Sequence, residues 1–178
     1  IPATVEKIKE DVQEMYSLRC IPQIVGPVID AYHRAQTDVT TEMNSATDNP
    51  IIDWERGSFL HGGNFHGEYV AAAVDYLKTG IIKLTILSER RINFLMNPAI
   101  NHLLPPFVNL HTPGLTLGLQ GMQFVATSTA ARSQSLAFPH HIHSIPTNGD
   151  NQDVVSMGFD AALIAMQAIE NAYAVLAI

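Results

Sequence analysis

The chain has 178 residues, with 10 basic and 17 acidic side chains and therefore a formal net charge of −7. Hydrophobic residues make up 47% of it and charged residues only 15%, which excludes a disordered chain. The basic residues form no cluster beyond Arg90-Arg91, which argues against a surface that binds nucleic acid or an anionic membrane. Because self-standing soluble domains carry about 25% charged residues, we expect much of this surface to be buried against other chains or other parts of the same protein.

Length also predicts one domain, spanning residues 1–178. The single cysteine and the lack of a signal pattern predict the cytoplasm. The longest apolar stretch is interrupted by Lys78, Lys83 and the segment 88–91, so no membrane span is expected. The single cysteine, Cys20, cannot form an intramolecular disulfide, and the N-terminus lacks a basic-then-apolar signal pattern. The first residue is not Met, and the last apolar pattern has no stop signal, so we expect a fragment cut at both ends.

Apolar spacing predicts helices from the N-terminus onwards. Steps of three and four residues over 5–15 predict a first amphipathic helix, and a second stripe runs over 24–44. The segment Asp48-Asn49-Pro50 stops this second helix, because the residue before a proline is pushed out of the helical region. Two short apolar pairs then flank a turn within 51–60, which predicts a small hairpin.

The second half of the chain continues this pattern around two loops. Residues 66–96 predict a helix of about thirty residues, far longer than the average of about 11–12. Proline-rich and glycine-containing segments predict loops over 104–114 and 138–152, with a helix over 119–136 between them and a last helix over 154–178. The predicted fold is therefore all-α, a bundle of long helices with one short irregular or hairpin excursion.

Polar residues of types that catalyse reactions or bind ligands cluster at four breaks between helices. At the first, Gln13, Tyr16 and Arg19 are spaced by three residues and share one face if the helix persists. Arginine binds a carboxylate with a bidentate fork, and a tyrosine hydroxyl both donates and accepts hydrogen bonds. The alternative is structural: an arginine that extends its charged end to solvent beside a half-buried tyrosine.

The other three breaks each have a structural alternative as well. The segment 44–50 reads either as a polar helix end with an Asx turn or as part of a site. In 62–67, glycines precede an aromatic residue, where Asn64 caps a helix or exposed backbone N–H groups bind an anion. The segment 148–153 either caps the last helix or forms a ligand-reading loop.

The histidines do not predict a metal site. Five of the eight lie in two groups, at positions 61 and 66 and at positions 140, 141 and 143, but there is no His-Glu-x-x-His pattern and no cysteine pair. The cluster at 140–143 follows a proline, which is typical of a loop surface or an interface. The sequence also lacks a Gly-x-Ser-x-Gly elbow, a phosphate loop and a dinucleotide fingerprint.

Six segments, in order along the chain, resemble those of the aromatic amino acid ammonia-lyases, which include histidine, phenylalanine and tyrosine ammonia-lyases and related aminomutases. They are Tyr16-Ser17-Leu18-Arg19-Cys20-Ile21-Pro22-Gln23, Asn44-Ser45-Ala46-Thr47-Asp48-Asn49-Pro50, Gly62-Gly63-Asn64-Phe65-His66-Gly67, Ser88-Glu89-Arg90-Arg91, Leu104-Pro105-Pro106-Phe107, and His143-Ser144-Ile145-Pro146 with Asn151-Gln152-Asp153-Val154-Val155-Ser156-Met157-Gly158. The resemblance implies a helical homotetramer whose long central helices pack together and whose active sites are each built from several chains. It also implies that this chain is the central-to-late part of such an enzyme.

The resemblance further implies an electrophilic prosthetic group, 4-methylidene-imidazol-5-one, formed by cyclisation of an internal Ala-Ser-Gly. This sequence contains no Ala-Ser-Gly. In the family, that triad lies upstream of the tyrosine-arginine motif, together with a second tyrosine that removes the β-proton. We therefore expect both to lie outside this chain, and we expect the chain alone to be inactive.

Four residues of the first two breaks take roles by this resemblance. Arg19 resembles the arginine that binds the substrate carboxylate, and Asn49 resembles its partner in that contact. Tyr16 matches a catalytic tyrosine beside the electrophile, where its hydroxyl relays a proton or holds the amino group, and Gln13 matches a glutamine of the same pocket.

Three further residues match the family at the later breaks. Phe65 resembles the aromatic residue packed against the prosthetic group, and Asn151 and Gln152 match the pair near the substrate amine or ring. Histidine-specific members typically have glutamate at the position of Gln152, so this glutamine favours tyrosine or phenylalanine as substrate. Tyrosine versus phenylalanine and lyase versus aminomutase stay open, and histidine remains the alternative substrate.

Two readings from other classes compete. The first is a helical tetrameric lyase of the fumarase and argininosuccinate lyase group. Such a lyase is recognised by a Gly-Ser-Ser-x-Met-Pro-x-Lys-x-Asn-Pro loop, which this sequence lacks. A non-catalytic helical oligomerisation module remains a description of the chain as isolated.

Overall fold

The structure, a computed structural model, describes residues 13–112 and 114–178. These residues form helices, two short strands and two 3-10 turns, so the predicted all-α bundle is confirmed. The helices are α1 (Tyr16–Arg19), α2 (Ile21–Met43), α3 (Glu68–Met96), α4 (Pro98–Asn101), α5 (Gln120–Ser135) and α6 (Gly158–Leu176). The strands are β1 (Ile51–Asp53) and β2 (Ser58–Leu60), and the turns span Asn64–His66 and Pro106–Val108.

Helix α3 is the axis of the molecule. At 29 residues it is about 44 Å long, and α2, α5 and α6 all pack against it. Small residues allow this close packing: a Cβ added at Gly80 of α3 would lie only 3.0 Å from Cγ1 of Val28 in α2. A side chain at position 80 would therefore require Val28 to shift by a few tenths of an ångström.

The apolar core lies around the C-terminal half of α3. Ile92 and Met96 of α3 pack with Ala126 of α5 and Val175 of α6, and all four are buried. Full burial of an aliphatic side chain of this size stabilises the fold by about 1.5–3 kcal/mol. This core fixes α5 and α6 against one half of α3, whereas polar loops gather around its other end.

Much apolar surface remains exposed, as the low fraction of charged residues led us to expect. Trp54 and Phe159, for example, are 82% and 77% exposed. Helices α2, α3 and α6 also border an open apolar groove of about 480 Å³, whose lining includes Ile29, Ile81 and Leu176. Among the described helices, none has the length and apolarity needed to cross a membrane.

The predicted hairpin over 51–60 is also present. Strands β1 and β2 are antiparallel, with Ile51 opposite Leu60 and Asp53 opposite Ser58. The Oδ1 atom of Asp53 accepts a hydrogen bond from the backbone N–H of Arg56 (3.1 Å), which stabilises the turn. The hairpin folds the segment before it onto the segment after it.

Two predicted helix boundaries are wrong. Helix α1 begins at Tyr16 because Met15 is extended (φ −62°, ψ 154°), so Gln13 does not share a helix face with Tyr16 and Arg19. The last helix begins at Gly158, since Met157 has a left-handed backbone (φ 52°), and the segment 148–153 therefore does not cap it. The predicted helix over 5–15 falls largely on residues 1–12, which lie outside the described residues.

Candidate active site

Three of the four predicted breaks meet at the N-terminal end of α3 and border one open cavity of about 790 Å³. Four of the predicted site residues line it: Asn49, Phe65, Asn151 and Gln152. The rest of the lining consists of Asp48, His66, Asn148, Asp153, Val154, Val155, Ser156 and Met157. We call this region the cavity end.

The hairpin brings the segments 44–50 and 62–67 together at the cavity end. The side-chain oxygen of Asn49 accepts a hydrogen bond from the backbone N–H of Gly62 (3.0 Å), and Asn64 donates to the Ala46 carbonyl (3.4 Å). The structure therefore shows Asn64 tying two segments together, whereas the residue that caps α3 is Gly67, at φ 74°. Because its oxygen is engaged, Asn49 presents its NH₂ group as the donor to a ligand.

The third contribution to the cavity is a tight turn within the loop 138–157. Thr147 and Gln152 exchange backbone hydrogen bonds, and Asn148 and Asp150 between them have left-handed backbones. The Thr147 hydroxyl also donates to the side-chain oxygen of Gln152 (3.0 Å). This contact orients the Gln152 amide and leaves its two N–H groups as donors.

Two hydrogen bonds hold the end of this loop in place. The Nε2–H of His66 donates to the Val154 carbonyl (3.1 Å), and the backbone N–H of Val155 donates to the Ser144 hydroxyl (2.9 Å). The first contact joins the loop to the segment before α3, and the second closes the loop on itself. Residues from three distant parts of the sequence are therefore held around one cavity.

The cavity end is electrostatically one-sided. Its lining includes the carboxylates of Asp48 and Asp153 and no lysine or arginine among the residues that the structure describes. Phe65, which is 51% exposed, provides an apolar wall. Such a surface suits an ammonium group and an aromatic ring, but it offers no cation to bind a substrate carboxylate.

The predicted carboxylate-binding residue lies elsewhere. Within α1, the guanidinium carbon of Arg19 lies 4.8 Å from the ring centroid of Tyr16, a cation–π contact. Ser17 lies two residues before Arg19, and its carbonyl accepts a hydrogen bond from Nε of Arg91 in α3 (3.2 Å). Arg91 lies about six turns beyond Glu68, or about 35 Å along α3. We call this region the Arg19 end; neither Arg19 nor Tyr16 lines the cavity of its own chain.

Gln13 also lies away from the cavity. It precedes α1 in a bend, is exposed, and is not among the lining residues. A single chain therefore brings together Asn49, Phe65, Asn151 and Gln152, but not Gln13, Tyr16 and Arg19.

A buried polar network beside the loop was not predicted. Nζ of Lys78 donates to Oδ1 of Asp75 (2.5 Å) and to the Phe138 carbonyl (2.8 Å). Oδ2 of Asp75 accepts from the backbone N–H groups of His140 (2.6 Å) and His141 (2.8 Å) and from Nδ1 of His141 (2.8 Å). The sequence signal was an oppositely charged pair, three residues apart, in an otherwise apolar stretch of helix.

The network adds a contact for one of the histidines that the sequence placed on a loop surface or an interface. The side chain of His141 is partly buried, at 25% exposure, and contacts Asp75. Burial raises the pKa of Asp75, but the hydrogen bonds from Lys78 and His141 outweigh burial, so that this pKa lies below its ordinary value. Within the described part of the chain, no group of three or more His, Cys, Asp or Glu side chains is arranged to hold a metal ion.

The chain is similar to known enzymes over nearly its whole length. The sequence profile described as "Aromatic amino acid lyase" matches residues 3–178. A tyrosine ammonia-lyase from Cupriavidus metallidurans is 44% identical over 94% of this chain and 31% of its own length. A histidine ammonia-lyase from Geobacillus kaustophilus is 45% identical over 94% of this chain and 33% of its own length.

A solved structure shows the same similarity. The tyrosine aminomutase of Streptomyces globisporus superposes with a TM-score of 0.92 at 40% identity, covering 98% of this chain and 33% of the other. The chain thus spans about a third of the length of the relatives it matches.

Proposed function

The chain belongs to the aromatic amino acid lyase family, and we propose that its parent protein eliminates ammonia from an aromatic amino acid to give an aryl acrylate. The observation that supports this most is the arrangement of Asn49, Phe65, Asn151 and Gln152 around one cavity. These four residues come from segments as far apart as 49 and 152 in the sequence. In the elimination, the C–N bond breaks with loss of the amine, and a proton leaves the neighbouring carbon.

Tyrosine or phenylalanine is the proposed substrate class. Gln152 carries an amide whose N–H groups fit a neutral ring or a phenol oxygen, whereas a carboxylate at this position would pair with an imidazole. The relatives named above act, by their names, on tyrosine and on histidine at almost equal identity to this chain. The proposal therefore rests on Gln152 rather than on the relatives.

The family implies a methylidene-imidazolone group, and the residues at the cavity end fit it. Phe65 presents an exposed apolar face to the cavity, against which a planar heterocycle can pack, and the amide of Asn49 supplies a neutral donor. When present, this group supplies the electrophile that activates the substrate amine as a leaving group. It forms from an Ala-Ser-Gly that this sequence does not contain, so the residues named here would surround the group but do not form it.

We propose that a second copy of the chain completes the site, within a homotetramer. The cavity end has two lining carboxylates and no arginine, whereas the Arg19 end has an exposed arginine and tyrosine and lies about 35 Å away along a rigid helix. Antiparallel packing of α3 helices from two chains would bring one chain's Arg19 to the other's cavity. The exposed apolar surface of the helices supplies the area for such packing.

In this arrangement each side chain has one task. Arg19 grips the substrate carboxylate with its planar fork, and the NH₂ group of Asn49 adds a second donor to that carboxylate. The Tyr16 hydroxyl and Gln13 act near the amino group, where the hydroxyl relays a proton. Asn151 and Gln152 hold the amine or the ring, and the base that removes the β-proton lies outside this chain.

An aminomutase is the second candidate, because the solved tyrosine aminomutase is 40% identical to this chain. An aminomutase returns the amine to the neighbouring carbon, so its product is a β-amino acid instead of a free acrylate. Incubation of the full-length protein with tyrosine, phenylalanine and histidine, followed by separation of acrylates from β-amino acids, distinguishes the two. No turnover of any of the three would contradict the proposed activity.

A mixing experiment tests whether two chains share one site. Arg19→Ala removes a residue of the Arg19 end, and Gln152→Ala removes one of the cavity end. Each variant alone should be weakly active, and co-expressed mixed oligomers should recover part of the wild-type rate, because some sites combine two intact ends. The matched control pairs Arg19→Ala with Tyr16→Phe, which lie at the same end and should not complement. Mixed oligomers without recovery would contradict a shared site.

We also propose a cytoplasmic location for the parent protein. The chain has one cysteine, Cys20, which is unpaired, whereas proteins of oxidising compartments commonly use disulfides.

A further inference from the structure

The loop 138–157 carries Asn151 and Gln152, yet the turn that presents them is weakly attached. In the described structure, residues 148–153 make hydrogen bonds only within the turn and to Thr147. They are also all exposed. The position of the two amides therefore depends on how the rest of the loop is fastened to the molecule.

The strongest fastening is the network around Asp75. This carboxylate is 2% exposed and receives four hydrogen bonds, one from Lys78 and three from His140 and His141. Lys78, which is fully buried, also donates to the carbonyl of Phe138. The beginning of the loop is thus bound at three backbone groups, those of Phe138, His140 and His141, to the N-terminal half of α3.

This fastening continues to the end of the loop. Three residues after His141, the Ser144 hydroxyl accepts from the backbone N–H of Val155, and Val154 accepts from His66. The turn with Asn151 and Gln152 lies between Ser144 and Val154. A shift at Asp75 consequently moves Ser144 and the base of the turn, while the core around Ile92 is untouched.

Only a carboxylate satisfies all of these donors. An ionised Asp75 has two oxygens and accepts at both, whereas an asparagine has one oxygen and an NH₂ group. In Asp75→Asn, that NH₂ group faces either the Lys78 ammonium or the N–H groups of the loop. At least one set of donors then loses its acceptor inside the protein, which loosens the loop.

We propose that Asp75, paired with Lys78 and His141, is a positioning residue that sets where Asn151 and Gln152 meet the substrate. This inference rests on the proposed function, since it concerns how the same site holds and discriminates its substrate. None of the hydrogen bonds of Asp75 goes to a lining residue of the cavity, so Asp75 acts through the loop.

Hydrogen exchange in the full-length protein tests the anchoring by itself. Asp75→Asn should speed exchange of backbone amides in 140–156 and leave those of α5 at the wild-type rate. The milder variant His141→Ala removes one of the three bonds to Oδ2 and should produce a smaller change in the same region. The matched control is Ile82→Val, a buried position of α3 two turns away, which weakens packing and removes no hydrogen bond to the loop.

Kinetics of the same variants test the positioning. Asp75→Asn should lower kcat/KM by up to about 100-fold, the cost of a misplacement of about 1 Å at a reacting site. It should also lower the selectivity, which is kcat/KM for the preferred amino acid divided by kcat/KM for another aromatic amino acid, because displaced amides discriminate less between rings. Ile82→Val should lower the melting temperature and leave that ratio unchanged.

Three results would overturn the inference: unchanged exchange in 140–156, equally faster exchange in the loop and in α5, or a looser loop with unchanged kcat/KM and ratio. If Asp75→Asn does not fold, His141→Ala decides by the same criteria. A wild-type protein without lyase or mutase activity would refute the proposed function, and the exchange pattern would then still decide whether Asp75 anchors the loop.

Discussion

The two ends of α3 differ in what they offer a substrate. The cavity end combines amides, carboxylates and an apolar wall from three loops, whereas the Arg19 end presents a guanidinium and a phenol from one short helix. The cavity end is held by hydrogen bonds that span up to 88 residues of sequence, while α1 is tied to α3 through the Ser17 carbonyl. Complementary groups thus lie at opposite ends of one rigid element.

Under the proposed assembly, this separation also accounts for the exposed apolar surface of the chain. A helix of 29 residues does not bring its own two ends together, so in the proposed assembly a second chain beside it completes the site. The apolar faces that such packing requires are the same ones that lower the charged fraction to 15%. Composition and site geometry therefore have a common cause in the proposed assembly.

The largest effect is expected for the isolated 178-residue chain, which contains both ends but no Ala-Ser-Gly. It should not deaminate tyrosine, phenylalanine or histidine, and it should lack the ultraviolet absorbance of a methylidene-imidazolone, whereas the full-length protein should show both. Sedimentation serves as the control for folding: the chain should self-associate, because exposed apolar patches above a few hundred Å² are rare in monomers. Deamination by the isolated chain would contradict the proposal that the electrophile lies elsewhere.

The next largest effect concerns the Arg19 end of the full-length protein. Arg19→Ala removes a charge-assisted bond of about 1.5–3 kcal/mol, which corresponds to a loss of about 10- to 150-fold in kcat/KM. Arg19→Lys keeps the charge but loses the fork, so it should not restore the rate.

Arg34 provides the matched control for this measurement. Its guanidinium bonds Asp38 (2.8 Å) on the exposed face of α2, and such surface pairs contribute little. Arg34→Ala should therefore stay within about twofold of wild type. If kcat/KM of Arg19→Ala also stayed within about twofold of wild type while Tyr16→Phe was inactive, the role of Arg19 would be structural.

A smaller effect is expected at the cavity end, where Gln152→Glu replaces an amide by a carboxylate. The new group should favour imidazole over a neutral ring and shift the histidine-to-tyrosine ratio of kcat/KM by about tenfold, the worth of roughly 1.4 kcal/mol. Asn148→Asp adds the same charge to the same cavity lining at another position. Equal shifts in both variants would mean that general charge, and not position 152, changes the preference.

Several features could be predicted from the sequence because they depend on local periodicity. The pattern over 66–96 predicted α3 to within two residues at its start, and the apolar pairs over 51–60 predicted the hairpin. The boundaries at Met15 and Met157 could not be predicted in this way, since each depends on one residue whose backbone conformation is set by its surroundings. The resemblance of six segments predicted the family, which the comparisons confirm.

The helical class, the order of the breaks and the identity of the residues at them follow from spacing and residue type along the chain, so they could be predicted without a structure. Which breaks meet depends on the fold. Asn49, Phe65 and Gln152 share a cavity through hydrogen bonds such as Asn49 to Gly62 and His66 to Val154, and Asp75 holds a loop 66 residues away. Arg19, on an equally plausible break, lies at the other end of α3. The physical reason is that a side chain's partner across such a distance depends on how the helices pack, and not on the residues beside it in the sequence.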